Sequence, residues 1–466
     1  MGRASKNKKR HSPCADRIST LPDDIRKHIL TKLPLRDAAK ASVLSTKWRH
    51  LWAKMPSLVF DETFLPINTR KASQLMSKLC TVLLLHHGPL RELTLSQLPA
   101  PRSHPNLVES ILMFLEKEGT VDSLTVTLGQ QQHGTTTTTE GEEDRYLLPK
   151  RLFSTFFSSR LKTLRLSCCD VVWSSPCFEG FGVLHVLELR NVVFVKEESS
   201  SSSAWRFRCP LLSSLTLVDC GGKVFEEPDF VIEATKLGRF ELDGKFSSLH
   251  LKDTPVLRTA ILRKQFFSDG DEKEVEEDPS KLWDGLAAVE SLYASGDLYR
   301  YLAGGNKETI SLGRQLEMLT QLTLDGVCLS RRSDVWSALC LITKSPNLRR
   351  LSISMELKRR LIHDSIKSAQ LGRLLNGEPK VHPLKTAEVK SFHGTKHEMV
   401  FVRWLLSSSP ALETMEIELS SAGLSADDKE SILAELNEFG RPSATTKVVI
   451  KQRHSSLTKN WGFRTL

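Results

Sequence analysis

The sequence predicts an α/β protein in which a small N-terminal segment of three helices precedes an irregular solenoid of leucine repeats. Apolar residues recur at helical spacing over residues 16–56, and a leucine pattern of strand spacing recurs over most of the remaining chain. Of the 466 residues 40% are hydrophobic and 25 are glycines, which is enough apolar material for a large core. A chain of this length corresponds to about three domains or to one extended array.

The first helix is expected to begin at Pro22, because proline has no N–H to leave unsatisfied in the first helical turn. Two aspartates follow it, where the helix dipole favours negative charge. Ile25, Ile29 and Leu33 recur at four-residue spacing and form one apolar stripe. Pro34 follows the stripe, and a proline at that place ends a helix.

Two further short helices are expected before Pro56. Residues 35–42 predict the second, and Ser45 suits the N-cap of a third helix that carries Trp48 and Trp52 on its apolar face. A segment of about forty residues is marginal as an independent fold. It also has more large apolar side chains than its own core can cover. We therefore expect it to pack on another surface, either a neighbouring domain or a partner protein.

A pattern L-x-x-L-x-L, with other apolar residues allowed, recurs along the rest of the chain. It begins at Leu90, Leu161, Leu184, Leu212, Leu237, Leu319, Leu348 and Leu412, with weaker copies at Val121, Leu257, Val289 and Leu384. Most copies are spaced as in leucine-rich repeats, which span about 20–29 residues. Each copy alternates apolar and polar residues, which is typical of a strand with one buried face. Stacked copies bury their apolar sides in a curved parallel sheet with helices or loops on the convex side. The alternative is a mixed α/β domain that is rich in leucine.

Composition divides the chain further. The expected parts are a disordered basic tail at 1–15, a repeat array at 57–379, a C-terminal region at 380–450 that completes the array, and a tail at 451–466. Polar or acidic stretches near 130–144, 196–204 and 269–280 bury too little apolar surface to order themselves, so they are expected to be surface loops.

Residues 16–56 contain the ordered motifs D-x-I-S-x-L-P-D-D-I, I-L, L-P, D-A, S-V-L-S and W-R-x-L-W. This order resembles the F-box of plant F-box proteins. The resemblance implies docking on the Skp-family adaptor of a cullin–RING ubiquitin ligase of the Skp–cullin–F-box (SCF) type. It implies an apolar contact made by Leu21, Pro22, Ile25, Ile29, Leu30, Leu33 and Trp48. Several of these residues can instead form the core of the three-helix segment, and both interpretations remain open.

Residues 380–450 carry a second set of motifs. They are Phe392-x-Gly394, a Leu405-Leu406 helix, Pro410-x-Leu412-Glu413-x-Met415 and Pro442-Ser443. These motifs resemble the FBD region that closes many plant F-box/leucine-rich-repeat proteins. A helix is expected over 355–376, where leucines pair at four-residue spacing, and a final strand at Val448-Val449-Ile450.

Motifs of enzyme chemistry are absent from the sequence. It contains no phosphate-binding loop, dinucleotide fingerprint, zinc-protease motif or nucleophile elbow. The nine cysteines include no C-x-x-C pair, so no zinc site is predicted, and none can be nominated to carry ubiquitin. We therefore expect a non-catalytic adaptor without cofactor or metal. Such an adaptor holds a substrate near a ubiquitin-loaded enzyme and so raises its effective concentration.

Residues between the repeated leucines are expected on the exposed face of the sheet. One column contains Thr94, Arg165, Glu188, Thr216, Glu241, Thr323, Ser352 and Glu416, and its neighbour contains Ser96, Ser167, Arg190, Val218, Asp243, Asp325, Ser354 and Glu418. The candidate contacts to an unknown protein substrate are Arg165, Glu188, Arg190, Glu241, Asp243 and Asp325. Arg165 with Arg190 is a candidate anion contact, and the alternative is two solvated surface arginines.

The net charge of +10 is unevenly distributed, because residues 1–15 contain five basic residues and no acidic residue. The rest of the chain is close to balanced, so a nucleic-acid-binding body is not indicated. A rival function uses this tail, in a nuclear nucleic-acid- or protein-binding scaffold without ubiquitin chemistry. No stretch of 18 apolar residues exists, so no membrane partner is expected. The irregular free cysteines indicate a reducing compartment, the nucleus or the cytoplasm or both.

Overall fold

The computed structural model describes residues 18, 20–43, 45–61, 64, 72–98, 106–128, 145–173, 178, 180–196, 204–222, 228–265, 279–303, 315–357, 365–377, 381, 383–420, 424–441 and 446–452. Several predicted features lie outside them. These are the basic tail at 1–15, the loop at 130–144, most of the loops at 196–204 and 269–280, residues 442–443 and residues 453–466.

The chain divides into two compact units, Met1–Arg151 and Leu152–Leu466. The elements of the first unit are α1 (Asp23–Leu30), α2 (Leu35–Ala41), β1 (Ser57–Phe60), α3 (Ala72–Leu85), β2 (Glu92–Leu98), α4 (Leu107–Glu118), β3 (Ser123–Leu128) and β4 (Tyr146–Leu148). Strand β2 lies between β1 and β3, and both pairings are parallel. This unit therefore contains the N-terminal helices together with the first strands of the repeat pattern.

The segment after α2 differs from the predicted third α-helix. Residues 45–50 form turns, and a 3-10 helix follows at Trp52–Lys54. Ser45 still organises the segment, because its carbonyl accepts the N–H of Trp48 at 3.0 Å. Trp48 in turn accepts the N–H of Leu51 at 3.3 Å. A backbone hydrogen bond between a residue and the third residue before it places the two side chains on the same side of the chain. Trp48 and Leu51 are therefore both buried, although the segment is not an α-helix.

The second unit contains most of the strands. Its elements are α5 (Thr155–Ser158), β5 (Thr163–Trp173), β6 (Val186–Lys196), β7 (Ala204–Arg208), β8 (Ser214–Val218), β9 (Gly221–Gly222), β10 (Asp229–Glu233), β11 (Arg239–Gly244), β12 (Ser248–Lys252), β13 (Thr259–Lys264), α6 (Ser280–Gly285), β14 (Ser291–Gly296), α7 (Leu298–Leu302), β15 (Gln321–Val327), α8 (Arg332–Thr343), β16 (Arg350–Met355), α9 (Ser368–Asn376), β17 (Thr386–Phe392), α10 (Lys396–Ser408), β18 (Thr414–Leu419), α11 (Ala426–Asn437) and β19 (Lys447–Gln452). The main sheet runs β5-β6-β8-β11-β13-β14-β15-β16-β17-β18-β19, and a smaller sheet runs β12-β10-β7.

Every copy of the leucine pattern, strong or weak, begins two residues before a strand of a parallel sheet. The apolar residues of a copy face inward. Leu161, Leu164 and Leu166, for example, are all fully buried, as are their neighbours Leu187 and Leu189. Stacking of one such strand on the next buries an apolar face that no single copy could bury alone. The predicted α/β fold with a repeat-built parallel sheet is therefore confirmed.

The smaller sheet was not predicted. Its strands β7, β10 and β12 are the return segments of the consecutive repeats that begin at Leu184, Leu212 and Leu237. Repeat length alone does not decide this form, because the repeats that begin at Leu184 and Leu384 both have 28 residues. The first returns as strand β7 and the second as helix α10.

A left-handed backbone residue recurs at one register position of the repeat strands, within β5 and β6 and at or next to the end of the others. Positive φ angles occur at equivalent register positions in Cys168, Asn191, Asp219, Gly244, Gly296, Gly326 and Ser391. This conformation turns the chain away from the strand direction, and it is adopted most readily by Gly, Asn and Asp. At Gly296 glycine is required, because a Cβ atom there would lie 2.4 Å from the carbonyl oxygen of Lys264.

The predicted helix over 355–376 is shorter in the structure. Met355 ends β16, and the helix α9 begins only at Ser368. Leu371 and Leu375 are buried on it, as the second leucine pair predicts, whereas Leu357 is exposed. The helix α10 contains the Leu405-Leu406 pair, and β19 contains the expected final strand. Among the described helices, none combines the length and apolar character that crossing a membrane requires.

Candidate functional site

The core of the N-terminal segment decides which of its apolar residues are available to a partner. Leu30 and Trp48 are buried in one cluster, which also contains Ala38, Ala41, Leu51 and Met55. Their burial favours the core interpretation for both residues, and their contact with an adaptor stays untested. Ile29 and Trp52 are partly buried against the same cluster.

The other five predicted contact residues remain accessible. Ile25 is 49% exposed and Leu33 is 40% exposed. Pro22 is exposed, Leu21 is half-buried, and Ile29 is half-buried against the core cluster. Contact of these residues with an adaptor stays a prediction. We call Leu21, Pro22, Ile25, Ile29 and Leu33 the apolar contact surface.

Two exposed apolar residues and one buried arginine were not predicted. Ile18 and Val43 are even more exposed than Ile25, and both lie within the ordered motifs. Arg26 is 7% exposed and ties the segment together. Its Nε donates to the carbonyl of Leu21 at 3.0 Å, and its two terminal nitrogens donate to Asp23 and to the carbonyl of Lys47. A guanidinium can make these three bonds at once because its donors form a planar fork.

The sheet of the second unit brings the two predicted columns into register. Arg165 pairs with Glu188, and Ser167 pairs with Arg190 on the next strand. Further along, Asp243 pairs with Arg263, and Ser295 pairs with Asp325. Because parallel pairing repeats from strand to strand, the columns form continuous rows on the outer face of the sheet.

At one end of these rows, Glu188 lies between two arginines. Arg165 Nε donates to one carboxylate oxygen at 3.1 Å, and Arg190 Nε donates to the other at 2.5 Å. Neither guanidinium group is merely solvated, since both have a carboxylate partner, and binding of an anion by this pair stays a prediction. The three residues are partly exposed, and such ion pairs contribute little to stability.

A second cluster lies on β11, β13, β14 and β15. Arg263 contacts Glu241 at 3.3 Å and Asp243 at 3.4 Å. The guanidinium also lies over the ring of Tyr293, 4.6 Å from its centroid, and the Tyr293 hydroxyl donates to Asp325 at 2.7 Å. Burial and this bond to Asp325 raise the pKa of Tyr293, so its hydroxyl remains a donor at neutral pH. We call these five residues the central face cluster.

Arg263 and Tyr293 were not predicted as site residues. They lie in the weak copies that begin at Leu257 and Val289, where the pattern was least regular. Their positions follow from register alone, because Arg263 is opposite Asp243 and Tyr293 is opposite Thr323. The six predicted substrate contacts thus fall into two groups of three, and the structure does not test substrate binding by either.

Residues 18–60 match the F-box domain family. Over 443 residues, the chain is 30% identical to an F-box/FBD/LRR-repeat protein of Arabidopsis thaliana, and the alignment covers 94% of this chain and 99% of the relative. The chain belongs to the F-box/FBD/LRR-repeat family. A probable FBD-associated F-box protein of the same plant is 21% identical, with 93% of this chain and 99% of the relative covered. An F-box/LRR-repeat protein is 26% identical, with coverage of 86% and 65%.

As an F-box/FBD/LRR-repeat protein, the chain has its apolar contact surface within the matched F-box and the central face cluster within the repeats. The predicted relationship to plant F-box proteins with an FBD region is confirmed by these relatives. In the FBD-like region, Glu398 caps α10. Its carboxylate accepts the backbone N–H groups of His393 at 3.0 Å and Thr395 at 2.9 Å.

Among the described cysteines of this F-box/FBD/LRR-repeat protein, Cys169, Cys209, Cys220 and Cys328 are buried in the second unit. Cys220 donates from its thiol to the carbonyls of Leu189 and Val218, both at 3.4 Å. Burial raises the pKa of Cys209 to about 12, so this thiol is not ionised at neutral pH. The described residues contain no group of three or more His, Cys, Asp or Glu side chains placed to hold a metal ion.

Proposed function

We propose that this F-box protein is the substrate-recognition subunit of an SCF-type ubiquitin ligase and performs no bond chemistry itself. The observation that carries the proposal is the F-box match over residues 18–60, on which apolar side chains remain exposed. Ile18, Ile25, Leu33 and Val43 are all exposed within this short segment, and a group of exposed apolar side chains favours a partner.

The apolar contact surface would bind a Skp-type adaptor. The exposed side chains of Ile25 and Leu33 can be buried by a partner. Leu30 and Trp48 pack in the core and so keep α1 in the position that exposes Ile25 and Leu33. Arg26 supports this presentation because it fixes the carbonyl of Leu21.

The repeat sheet would bind the client protein. Its outer face presents ordered rows of polar and charged residues, and the central face cluster joins charged groups to an aromatic ring. A client bound there is held near a ubiquitin-loaded enzyme, which raises the effective concentration of the client at that enzyme and so speeds ubiquitin transfer. We place this activity in the nucleus or the cytoplasm or both.

The first experiment measures binding of the full chain to a purified Skp-type adaptor by biolayer interferometry. We expect the double variant Leu21→Ala with Pro22→Ala to weaken binding by about 1–4 kcal/mol, because residues at an interface centre contribute energy on this scale. The matched control is Leu211→Ala, since Leu211 is an exposed leucine in the other unit. A folded wild-type chain that does not bind the adaptor would refute the proposal.

A second experiment tests the client half. Proteins that accumulate in cells when residues 18–60 are deleted are identified by proteomics and then offered to the reconstituted ligase. We expect at least one to be ubiquitinated only when this chain is present. Ubiquitination that is equally fast without the chain would contradict the assigned role.

The alternative function, a nuclear scaffold, is favoured by the five basic residues of the tail at 1–15. Binding of DNA or RNA through this tail should fall steeply as salt rises, because bound cations release counterions from phosphates. A salt titration with and without residues 1–15, in the absence of ubiquitin components, separates this function from the ligase subunit.

A further inference from the structure

Among the described residues, no strand pairs with the outer edge of β19, the last strand of the main sheet, and we call this side its open edge. Its one neighbour among the described strands is β18, and the pairing is parallel. The inward side chains Val448 and Ile450 are only half-buried, whereas their register partners Met415 and Ile417 are fully buried. At the other limit of the repeats, the inward residues of β1 are buried, and α2 contacts this strand. The end at β19 therefore differs in having apolar side chains that remain partly uncovered.

The backbone of β19 also presents hydrogen-bonding groups on this open side. The N–H of Lys447 donates to the carbonyl of Glu413, at the β18 side, at 2.9 Å. In a strand, successive residues direct their backbone groups to opposite sides. Val449 and Lys451 therefore bond towards β18, while Val448 and Ile450 direct their N–H and C=O groups to the open edge. Such groups form a template for another strand.

Charge on β19 restricts which strand can be added. Lys447 and Lys451 are exposed on the outer face, on either side of Val449. Strand β18 shows the complementary pattern, with apolar Met415 and Ile417 inside and Glu416 and Glu418 outside. Lys451 Nζ donates to Glu416 of the neighbouring strand β18 at 2.6 Å. A lysine on the outer face of β19 can therefore pair with an acidic residue on an adjacent strand.

A second copy of the chain fits this edge poorly. In a two-fold antiparallel pairing of β19 with itself, Val448 can face Ile450 only in the register centred on Val449. That register places Lys447 opposite Lys451 twice, and like charges directly opposite each other destabilise a sheet. In that register the lysines disfavour self-association, whereas they attract an acidic partner strand.

We propose that the open edge of β19 binds an extended segment of another protein in which apolar and acidic residues alternate. The segment adds a strand to the main sheet, as in β-augmentation. Its apolar side chains cover Val448 and Ile450, and its acidic side chains lie beside Lys447 and Lys451. This site is independent of the F-box, so it stands whether or not the adaptor binds.

The test uses the full chain and a fluorescein-labelled peptide that repeats the β18 sequence T-M-E-I-E-L between glycine–serine flanks. Fluorescence anisotropy measures its dissociation constant against that of a T-M-K-I-K-L peptide. We expect the acidic peptide to bind at least about tenfold more tightly, because each cross-strand charge changes from attraction to repulsion. Equal affinity for the two peptides would overturn the proposal.

Two variants locate the site. Val448→Pro removes an N–H that faces the open edge and no bond to β18, so peptide affinity should fall at least about tenfold with little change in melting temperature. Lys447→Glu should weaken binding of the acidic peptide about three- to tenfold, and Lys429→Glu on α11 is the control with the same charge change. Undiminished binding by folded Val448→Pro, or by Lys447→Glu, contradicts the assignment.

Two measurements test whether the open edge of β19 is occupied instead by the C-terminal residues of the same chain or by a second copy of the chain. Removal of residues 453–466 should leave peptide affinity unchanged, and an increase would show that the chain's own continuation covers the edge. Sedimentation equilibrium should show a monomer. A dimer that Val448→Pro dissociates would show that a second copy is the occupant and would overturn the proposal.

Discussion

The division of the F-box into core and contact surface gives the sharpest prediction. Leu30 is fully buried in the core cluster, whereas Ile25 and Leu33 are about half exposed. We expect Leu30→Ala to unfold the segment, and the double variant Ile25→Ala with Leu33→Ala to remain folded but to bind the Skp-type adaptor weakly.

The magnitudes follow from burial. Truncation of a buried leucine to alanine costs about 2–5 kcal/mol, which is comparable to the whole stability of a segment this small. Complete burial of an isoleucine or leucine contributes about 1.5–3 kcal/mol. With 49% and 40% of Ile25 and Leu33 exposed, a partner can gain somewhat less than half of this from each residue. The double variant should therefore lose about 2 kcal/mol of adaptor binding, which is about thirtyfold in the dissociation constant.

Two measurements separate the effects. Hydrogen exchange with mass spectrometry reports protection of α1 and α2, and biolayer interferometry reports adaptor binding by the full chain. Leu30→Ala should lose protection in both helices, and the double variant should keep it. The reasoning is refuted if the double variant loses protection like Leu30→Ala, or if it keeps protection and wild-type adaptor affinity.

Three further predictions concern the repeats. Gly296→Ala should destabilise the second unit by about 2–5 kcal/mol in urea unfolding, because the new Cβ meets a carbonyl and the backbone is left-handed, while Gly238→Ala should cost under about 1 kcal/mol. Iodoacetamide at pH 8 should modify exposed Cys80 but not Cys209, whose thiol is buried with a pKa of about 12, as peptide mass spectrometry can show. Tyr293→Phe should cost about 0.5–1.5 kcal/mol of stability and should weaken retention of any client that binds the central face cluster.

Each of these three has an outcome that contradicts it. An unchanged urea midpoint for Gly296→Ala would mean that the strand-end turn tolerates a side chain. Equal alkylation of the two thiols in the folded chain would contradict the buried state of Cys209. Full client retention by Tyr293→Phe, combined with loss on Lys447→Glu, would move client binding from the sheet face to the β19 edge.

Much of the fold could be read from local pattern. The leucine copies located their strands even where the copies were weak, because a strand with one buried face must alternate apolar and polar residues. The proline and serine signals located α1 and the turn before Trp48. The return segments could not be read in this way, since two repeats of the same length, 28 residues, return one as strand β7 and the other as helix α10.

The site was predicted less completely. Periodicity showed which residues share a face, so the outer columns of the sheet were recovered, and Glu241 and Asp243 were assigned to them. Arg263 and Tyr293 were missed because their importance comes from the residues opposite them in register. The sequence places Arg165, Arg190 and Glu188 on the same face, and only atomic distances show that Glu188 accepts a hydrogen bond from both arginines.

The sequence by itself determined the family, the repeat strands and the apolar character of the F-box stripe, since each depends on residues that are close in the chain. Tertiary structure alone decided that Leu30 is inside while Ile25 and Leu33 are outside, and that β19 ends the described sheet with its edge open. Periodicity identifies the apolar side of an element but not what covers it. Burial is a property of two packed surfaces, and the second surface comes from residues distant in the chain.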